Sequence, residues 1–274
     1  MQKRDIPQRK TDPPRGVLKT RIADERLYRH ARYHASSDLT PYVEHFWSVQ
    51  WDLRGHAPEL AETLPHPSVH MIFERTVGAR ISGVAKGKFS RLLQGEGGVL
   101  AAKFTPGGFY PFAGVPISTF TGRVVSLGEV FGRDGASLEL DVTSASTDAA
   151  RIAVIEGFLR RRLRHPDENV ARISAIVYAV QHDRTILKVD DLVERYELST
   201  RTLQRLFAKY VGVSPKWVIQ RYRLHEAADR LATGDTIAQS TLALQLGYSD
   251  QAHFVRDFRA VVGTSPASYA KKGR

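Results

Sequence analysis

The sequence predicts an α+β protein: a strand-rich, barrel- or sandwich-like N-terminal domain, then an all-α domain of two helix-turn-helix units joined by a long linker helix. Three observations carry this expectation. Apolar residues alternate with a period of two between Gly/Pro turns over residues 28–127. Beyond about residue 148 the period becomes helical. The last third then repeats one order of parts: short helix, tight turn, polar and basic helix, and a Gly-x-Ser-Pro stop.

Residues 1–20 are basic, polar and proline-containing, a composition that is ordered only in part. The first strand signals follow. Val43, His45, Trp47, Val49 and Trp51 alternate with Glu44, Phe46, Ser48 and Gln50, and Val69, Met71 and Phe73 with His70, Ile72 and Glu74. Turns punctuate them at Leu64-Pro-His-Pro67, Gly95-Glu-Gly-Gly98, Thr105-Pro-Gly-Gly108 and Gly114-Val-Pro116. Ile152, Ile155, Leu159 and Leu163 then mark one helix, with Arg160, Arg161, Arg162 and Arg164 at its end, where cations suit the helix dipole, and His165-Pro166 stopping it. Val170, Ile173, Val177 and Val180 mark a second. These two helices close a domain over residues 21–183, leaving 184–274 as the helical domain.

In that helical part, Leu203, Leu206, Phe207 and Tyr210 share an inward face, while Arg201, Thr202, Gln204, Arg205 and Lys209 face out. Ser199 can cap this helix and reach phosphate. Gly212-Val-Ser-Pro215 ends the unit, and a linker helix runs from Lys216 to about Leu231, capped at Gly234. The second unit points Phe254, Phe258 and Val261 inward, points Gln251, Ala252, His253 and Arg256 outward, and stops at Gly263-Thr-Ser-Pro266. Arg pairs with guanine and Gln with adenine through bidentate major-groove hydrogen bonds. One such polar face is more simply a solvated helix; two in the same context point to DNA.

Composition bounds the alternatives. The net charge of +11 favours a polyanionic partner, yet the excess is +6 over residues 184–274 and +5 over the rest, so pattern rather than charge carries the DNA reading. The absence of cysteine excludes disulfides, thiol catalysis and cysteine-ligated zinc. No run approaches the roughly 18 apolar residues of a membrane span, and the basic start has no apolar segment behind it, so a cytoplasmic protein is expected.

Residues 184–274 resemble AraC/XylS-type transcription regulators. The resemblance rests on Ser199, Leu203-Gln-Arg-Leu-Phe207 and Gly212-Val-Ser-Pro215, then on Leu242-Ala243, Gly247-Tyr248, His253-Phe254, Arg256, Phe258-Arg259 and Gly263-Thr-Ser-Pro266. It implies base reading by Arg201, Gln204 and Arg205 and by Gln251, Ala252, His253 and Arg256. Glu197 stands where such proteins often carry glycine. Phosphate contacts are expected from Ser199, Thr202, Lys209, Lys216 and Arg221.

The N-terminal part resembles an uncharacterised strand-rich domain found ahead of this module in some bacterial regulators. Its matching stretches are His45-Phe-Trp47, Leu64-Pro-His-Pro67, Phe89-Ser-Arg-Leu-Leu-Gln-Gly95 and Phe104-Thr-Pro-Gly-Gly-Phe-Tyr-Pro-Phe112. This resemblance implies effector binding without naming the effector. Trp47, Phe104 and Phe112 are candidates, with Trp51 and Phe109, to line an apolar pocket, although a strand-rich core uses the same residues. His66 and His70 complete the effector candidates. His66, His70 and Glu74 do not suggest a metal site, because positions four apart on a strand lie roughly 13 Å apart.

The expected partners are double-stranded DNA, an unidentified small-molecule effector, RNA polymerase and another copy of the chain. No cofactor, metal, membrane or enzymatic activity is expected. Two rival readings stay open: a metal-dependent or DNA-repair enzyme fused to a DNA reader, and a helix-turn-helix interaction protein without specific DNA readout.

Overall fold

A computed structural model describes residues 17–19, 24, 26–163, 166–233 and 238–273. The basic start up to residue 16, Arg164, His165 and Gly234 lie outside the described residues.

Nine strands form two antiparallel sheets among the described residues. They are β1 (Val17–Lys19), β2 (Tyr28–Tyr33), β3 (Val43–Leu53), β4 (Glu59–Thr63), β5 (His70–Glu74), β6 (Gly78–Ser82), β7 (Phe89–Leu93), β8 (Gly95–Phe104) and β9 (Val124–Ser126). The larger sheet runs β2-β3-β8-β5-β6-β9 and the smaller β1-β4-β7. Since β2 and β9 are both edges, the larger sheet is not a closed barrel.

The long β3–β8 ladder organises the larger sheet. A bulge between Val43 and His45 returns Val43 to the face that holds Phe46, opposite Phe104 and Ala102. That face, extended by Met71, Phe73, Leu100 and Ile81, is apolar and buried. The opposite face carries His45, Trp47, Trp51, His70, Glu74 and Lys103, and the smaller sheet packs on part of it: Arg91 of β7 pairs with Glu74, and Leu93 clusters with Trp51. Trp51 lies so closely over Gly97 that any Cβ there would overlap the indole. The run 95–98, which reads as a turn, is instead part of β8, with its backbone in register with Leu53 to Gln50.

Helices cover the apolar face. They are α1 (Tyr110–Ala113), a 3-10 turn (Ile117–Phe120), α2 (Leu127–Phe131), α3 (Arg133–Ser144), α4 (Asp148–Arg162) and α5 (Glu168–His182). The predicted α4 and α5 bury Ile152, Ile155 and Leu159, and Val170, Ile173, Val177 and Val180, as their spacing requires. The sequence also contains α2 and α3, which periodicity alone passes over. Ser126 and Glu129 form a capping box that starts α2, and α3 buries Leu138 and Val142.

The helical third comprises α6 (Val189–Tyr196), α7 (Thr200–Leu206) with a π-helical turn (Phe207–Val211), α8 (Pro215–Ala232), α9 (Gln239–Gln245), α10 (Gln251–Val262) and α11 (Pro266–Gly273). Its first unit does not stand apart. Leu192, Leu203, Phe207, Tyr210, Val218 and Tyr222 belong to the same buried cluster as Phe46, Phe104 and Ile155. The second unit has its own core around Leu242, Phe254 and Phe258, entered by Leu64 from the loop before β5.

Candidate nucleic-acid interface

Each unit is built by the local chemistry of its turn. In the first, α6 ends at Glu197, which adopts the left-handed region at φ 50°. The Ser199 side chain then accepts from the Thr202 amide and starts α7. Phe207 and Leu203 are fully buried behind that helix. Arg201, Gln204 and Arg205 stand exposed on its outer side, Thr202 is half-buried, and Ser199 is exposed. In the second, Gly247 makes the turn at φ 79°, and Asp250 accepts from the His253 amide to start α10. Phe254 and Phe258 are buried, while Gln251, Ala252 and Arg256 are exposed. Val262, rather than Val261, completes the inward face, and Val261 is half-buried.

Two features alter the outward surface. Arg259, placed one turn after Arg256 and also exposed, joins Gln251, Ala252, Val255, Arg256 and Ala260 along a shallow groove of about 780 Å³. Its helical spacing from Ala252 and Arg256 is the signal that adds it. His253 is less available than its neighbours: its ring packs edge-on against Tyr248 at 5.2 Å, and its Nε2 lies 3.4 Å from Asp257.

One predicted phosphate contact is corrected by burial, and a second is partly engaged within the fold. Arg221 is only 4% exposed; it donates to the Lys86 carbonyl at 2.7 Å and lies 4.5 Å over the Trp217 ring. Burial lowers its pKa to about 10. Lys209 is half-buried, with its ammonium over the rings of Tyr110 and Tyr210. Both side chains serve the contact between the two halves of the chain. Lys216 is exposed.

The five effector candidates do not converge on one pocket. Phe104 and Phe112 are core residues with rings 5.8 Å apart. The Trp47 indole donates to His70 Nδ1 at 3.2 Å, and burial lowers the His70 pKa to about 3, with Lys103 and His45 adding to it. A neutral imidazole is the form that can accept that bond. His66 is elsewhere, its ring 4.7 Å from that of His225 on α8. Glu74 is held by Arg80 and Arg91. A cleft of about 1110 Å³ does open in this half, between α1, α3 and the α4–α5 connection. Phe112, Leu138, Phe158, Asp141, Arg161 and Glu168 are among its lining residues, and Phe112 is the one effector candidate that reaches it.

The halves are joined by named bonds as well as by the shared core. Tyr210 donates to Asp167 at 2.7 Å, and Thr121 donates to the Gly212 carbonyl at 2.6 Å. Arg223 donates to the carbonyls of Val180 and Asp183 and pairs with Glu226. His225 bonds the Pro65 carbonyl at 3.1 Å. No described helix is long and apolar enough to cross a membrane.

Residues 192–272 match the family described as a helix-turn-helix domain, and residues 31–126 match a domain of unknown function (DUF6597). The raffinose operon transcriptional regulatory protein RafR of Pediococcus pentosaceus is 32% identical over 97 residues, 35% of this chain and 35% of RafR. The transcriptional activator RhaS of Pectobacterium carotovorum is 36% identical over 77 residues, 28% of this chain and 27% of RhaS. The match thus spans about a third or less of these relatives. The crystal structure of ToxT from Vibrio cholerae aligns with 89% of this chain and 97% of its own at 11% identity and a TM-score of 0.36, too low to support an argument about the fold. The C-terminal part of this chain thus matches a helix-turn-helix domain, is similar there to regulators such as RafR and RhaS, and follows a stretch that matches a domain of unknown function.

Proposed function

We propose that this chain is a sequence-specific DNA-binding transcription regulator. In this reading α7 and α10 enter two successive major-groove segments about one helical turn (~34 Å) apart. The observation that carries it is the repeated division of labour in the two units. Each has a buried aromatic face behind an exposed row of Arg and Gln, and each row begins at a capped helix N-terminus. Arg201, Gln204 and Arg205 read one segment. Gln251, Ala252 and Arg256 read the other, with Ala252 offering a methyl contact and His253 a secondary one. Ser199, Thr202, Lys209 and Lys216 contact phosphates.

Residues 21–183 act as the sensor and 184–274 as the DNA reader, with the basic segment 1–20 ahead of them. A small-molecule effector on the sensor would change DNA affinity only by binding one arrangement of the halves better than another. The shared core around Tyr210 and Tyr222 supports a route for that coupling. RNA polymerase and a second copy of the chain are further partners of this reading, with the cytoplasm as its compartment and no catalytic step.

Selection of bound duplexes from a random pool tests it. The expected result is a two-part motif, with Arg201→Ala losing one part and Arg256→Ala the other. A folded protein that enriches no motif, with or without candidate effectors, overturns the reading.

A further inference from the structure

Arg221 differs from several other cations that the fold covers. Lys103 meets Glu44, Arg80 and Arg91 meet Glu74, and Arg223 meets Glu226. Arg221 meets no carboxylate among the described residues, although it is only 4% exposed. Its Nη2 donates to the Lys86 carbonyl, the Trp217 ring lies beneath it, and its Nη1 is buried without an acceptor. A guanidinium removed from water needs an opposite charge and filled hydrogen bonds, and a backbone carbonyl with an indole face supplies only part of that.

The surroundings reinforce the need for an anion. Tyr248, from the turn of the second helix-turn-helix unit, is 7% exposed and its hydroxyl is buried without a well-formed hydrogen bond. Tyr248 lies near enough to Arg221 for the two to influence each other's protonation, while burial and the Asp257 carboxylate, the latter through its charge and as a hydrogen-bond acceptor, hold the proton on the phenol. His225, one helical turn beyond Arg221, is held neutral chiefly by burial, with Arg221 and Lys103 adding to it. Three parts of the molecule meet here: the sensor loops carrying Pro65 and Lys86, the linker helix α8, and the turn before α10.

We propose that Arg221 is the centre of an oxyanion site at this junction, binding the carboxylate or phosphate group of a small ligand through its second Nη, with the Tyr248 hydroxyl as a further donor. Planar, forked donors make arginine suited to both groups. Buried on the sensor side, Arg221 is shielded from DNA phosphates, so the anion it takes is a small one. Occupancy ties the sensor loops to the linker helix and to the second helix-turn-helix unit. The site does not depend on the DNA-reading assignment, because it is tested by anion binding itself.

The test measures the thermal midpoint of the full chain at constant ionic strength in a chloride background, titrated separately with inorganic phosphate and with acetate. The expected result is a saturable rise of roughly 5 °C for at least one of them once it far exceeds its dissociation constant. Which salt acts identifies the group. The rise should be absent in Arg221→Met, and Tyr248→Phe should need at least tenfold more anion for half the effect. No saturable rise in the parent protein, or the same rise in Arg221→Met, overturns the site. Should Arg221→Met not fold, Arg221→Lys takes its place, and an unchanged half-effect concentration in that variant overturns it equally.

Discussion

Arg201 and Arg256 stand exposed where a helix of 3.6 residues per turn puts them, opposite buried Leu203 and Phe254. Alanine at either position should cost about 1–3 kcal/mol on the selected site and relax base preference in one half of it. Competition binding against single-base variants of that site measures both effects, and uniform weakening across all sequences would make these residues phosphate contacts. Lys216→Ala should do the opposite, lowering affinity evenly and flattening the dependence on salt. This part of the candidate site was legible in the sequence because each of these residues is positioned by its own helix. Arg221 was not, because the loop that buries it comes from Lys86, 135 positions earlier. The contact of the Lys209 ammonium with the Tyr110 ring was not legible either, for the same reason.

At the scale of elements, caps and turn conformations explain most of the helical third. Glu197 is the only described non-glycine residue with positive φ, and the left-handed conformation costs an L-residue roughly 1 kcal/mol. Glu197→Gly should therefore raise stability by a few tenths to about 1 kcal/mol in denaturant melts, with no change in base preference. A destabilised glycine variant would mean that the glutamate side chain holds the turn. Phe258, fully buried between Phe254 and Tyr269, anchors α10 to its unit. Phe258→Ala should cost about 3–5 kcal/mol, read as a lower unfolding midpoint, and an unchanged midpoint would remove Phe258 from the core. Strand and helix types were readable wherever burial was one-sided. α2 and α3 were harder to read because α2 is short and marked only by its capping box, and α3 has a sparse apolar stripe and no side-chain cap.

Across the whole molecule, the first helix-turn-helix unit shares one core with the preceding domain, and two histidines kept from water give the protein a pH signature. Burial lowers the pKa of His70 to about 3 and that of His225 to about 4, from an ordinary 6.5. The unfolded chain thus binds more protons than the folded one as pH falls below 6.5, so this stabilisation is full above 6.5 and is lost toward pH 4 and below. Thermal midpoints should fall across that window, and His225→Gln should make the fall shallower; an equal slope in the variant would remove His225 as a source. What the sequence determined by itself was what neighbours along the chain set: strand and helix periods, caps, stops, and the outward rows of α7 and α10. Tertiary structure decided what depends on residues far apart. It left the larger sheet open, dispersed Trp47, His66, His70, Phe104 and Phe112 over separate environments, and packed the first helix-turn-helix unit into the core of the preceding domain. The physical reason is that periodicity specifies which face of an element seeks burial, whereas the surface that buries it, and any charge trapped there, is specified only when distant elements pack.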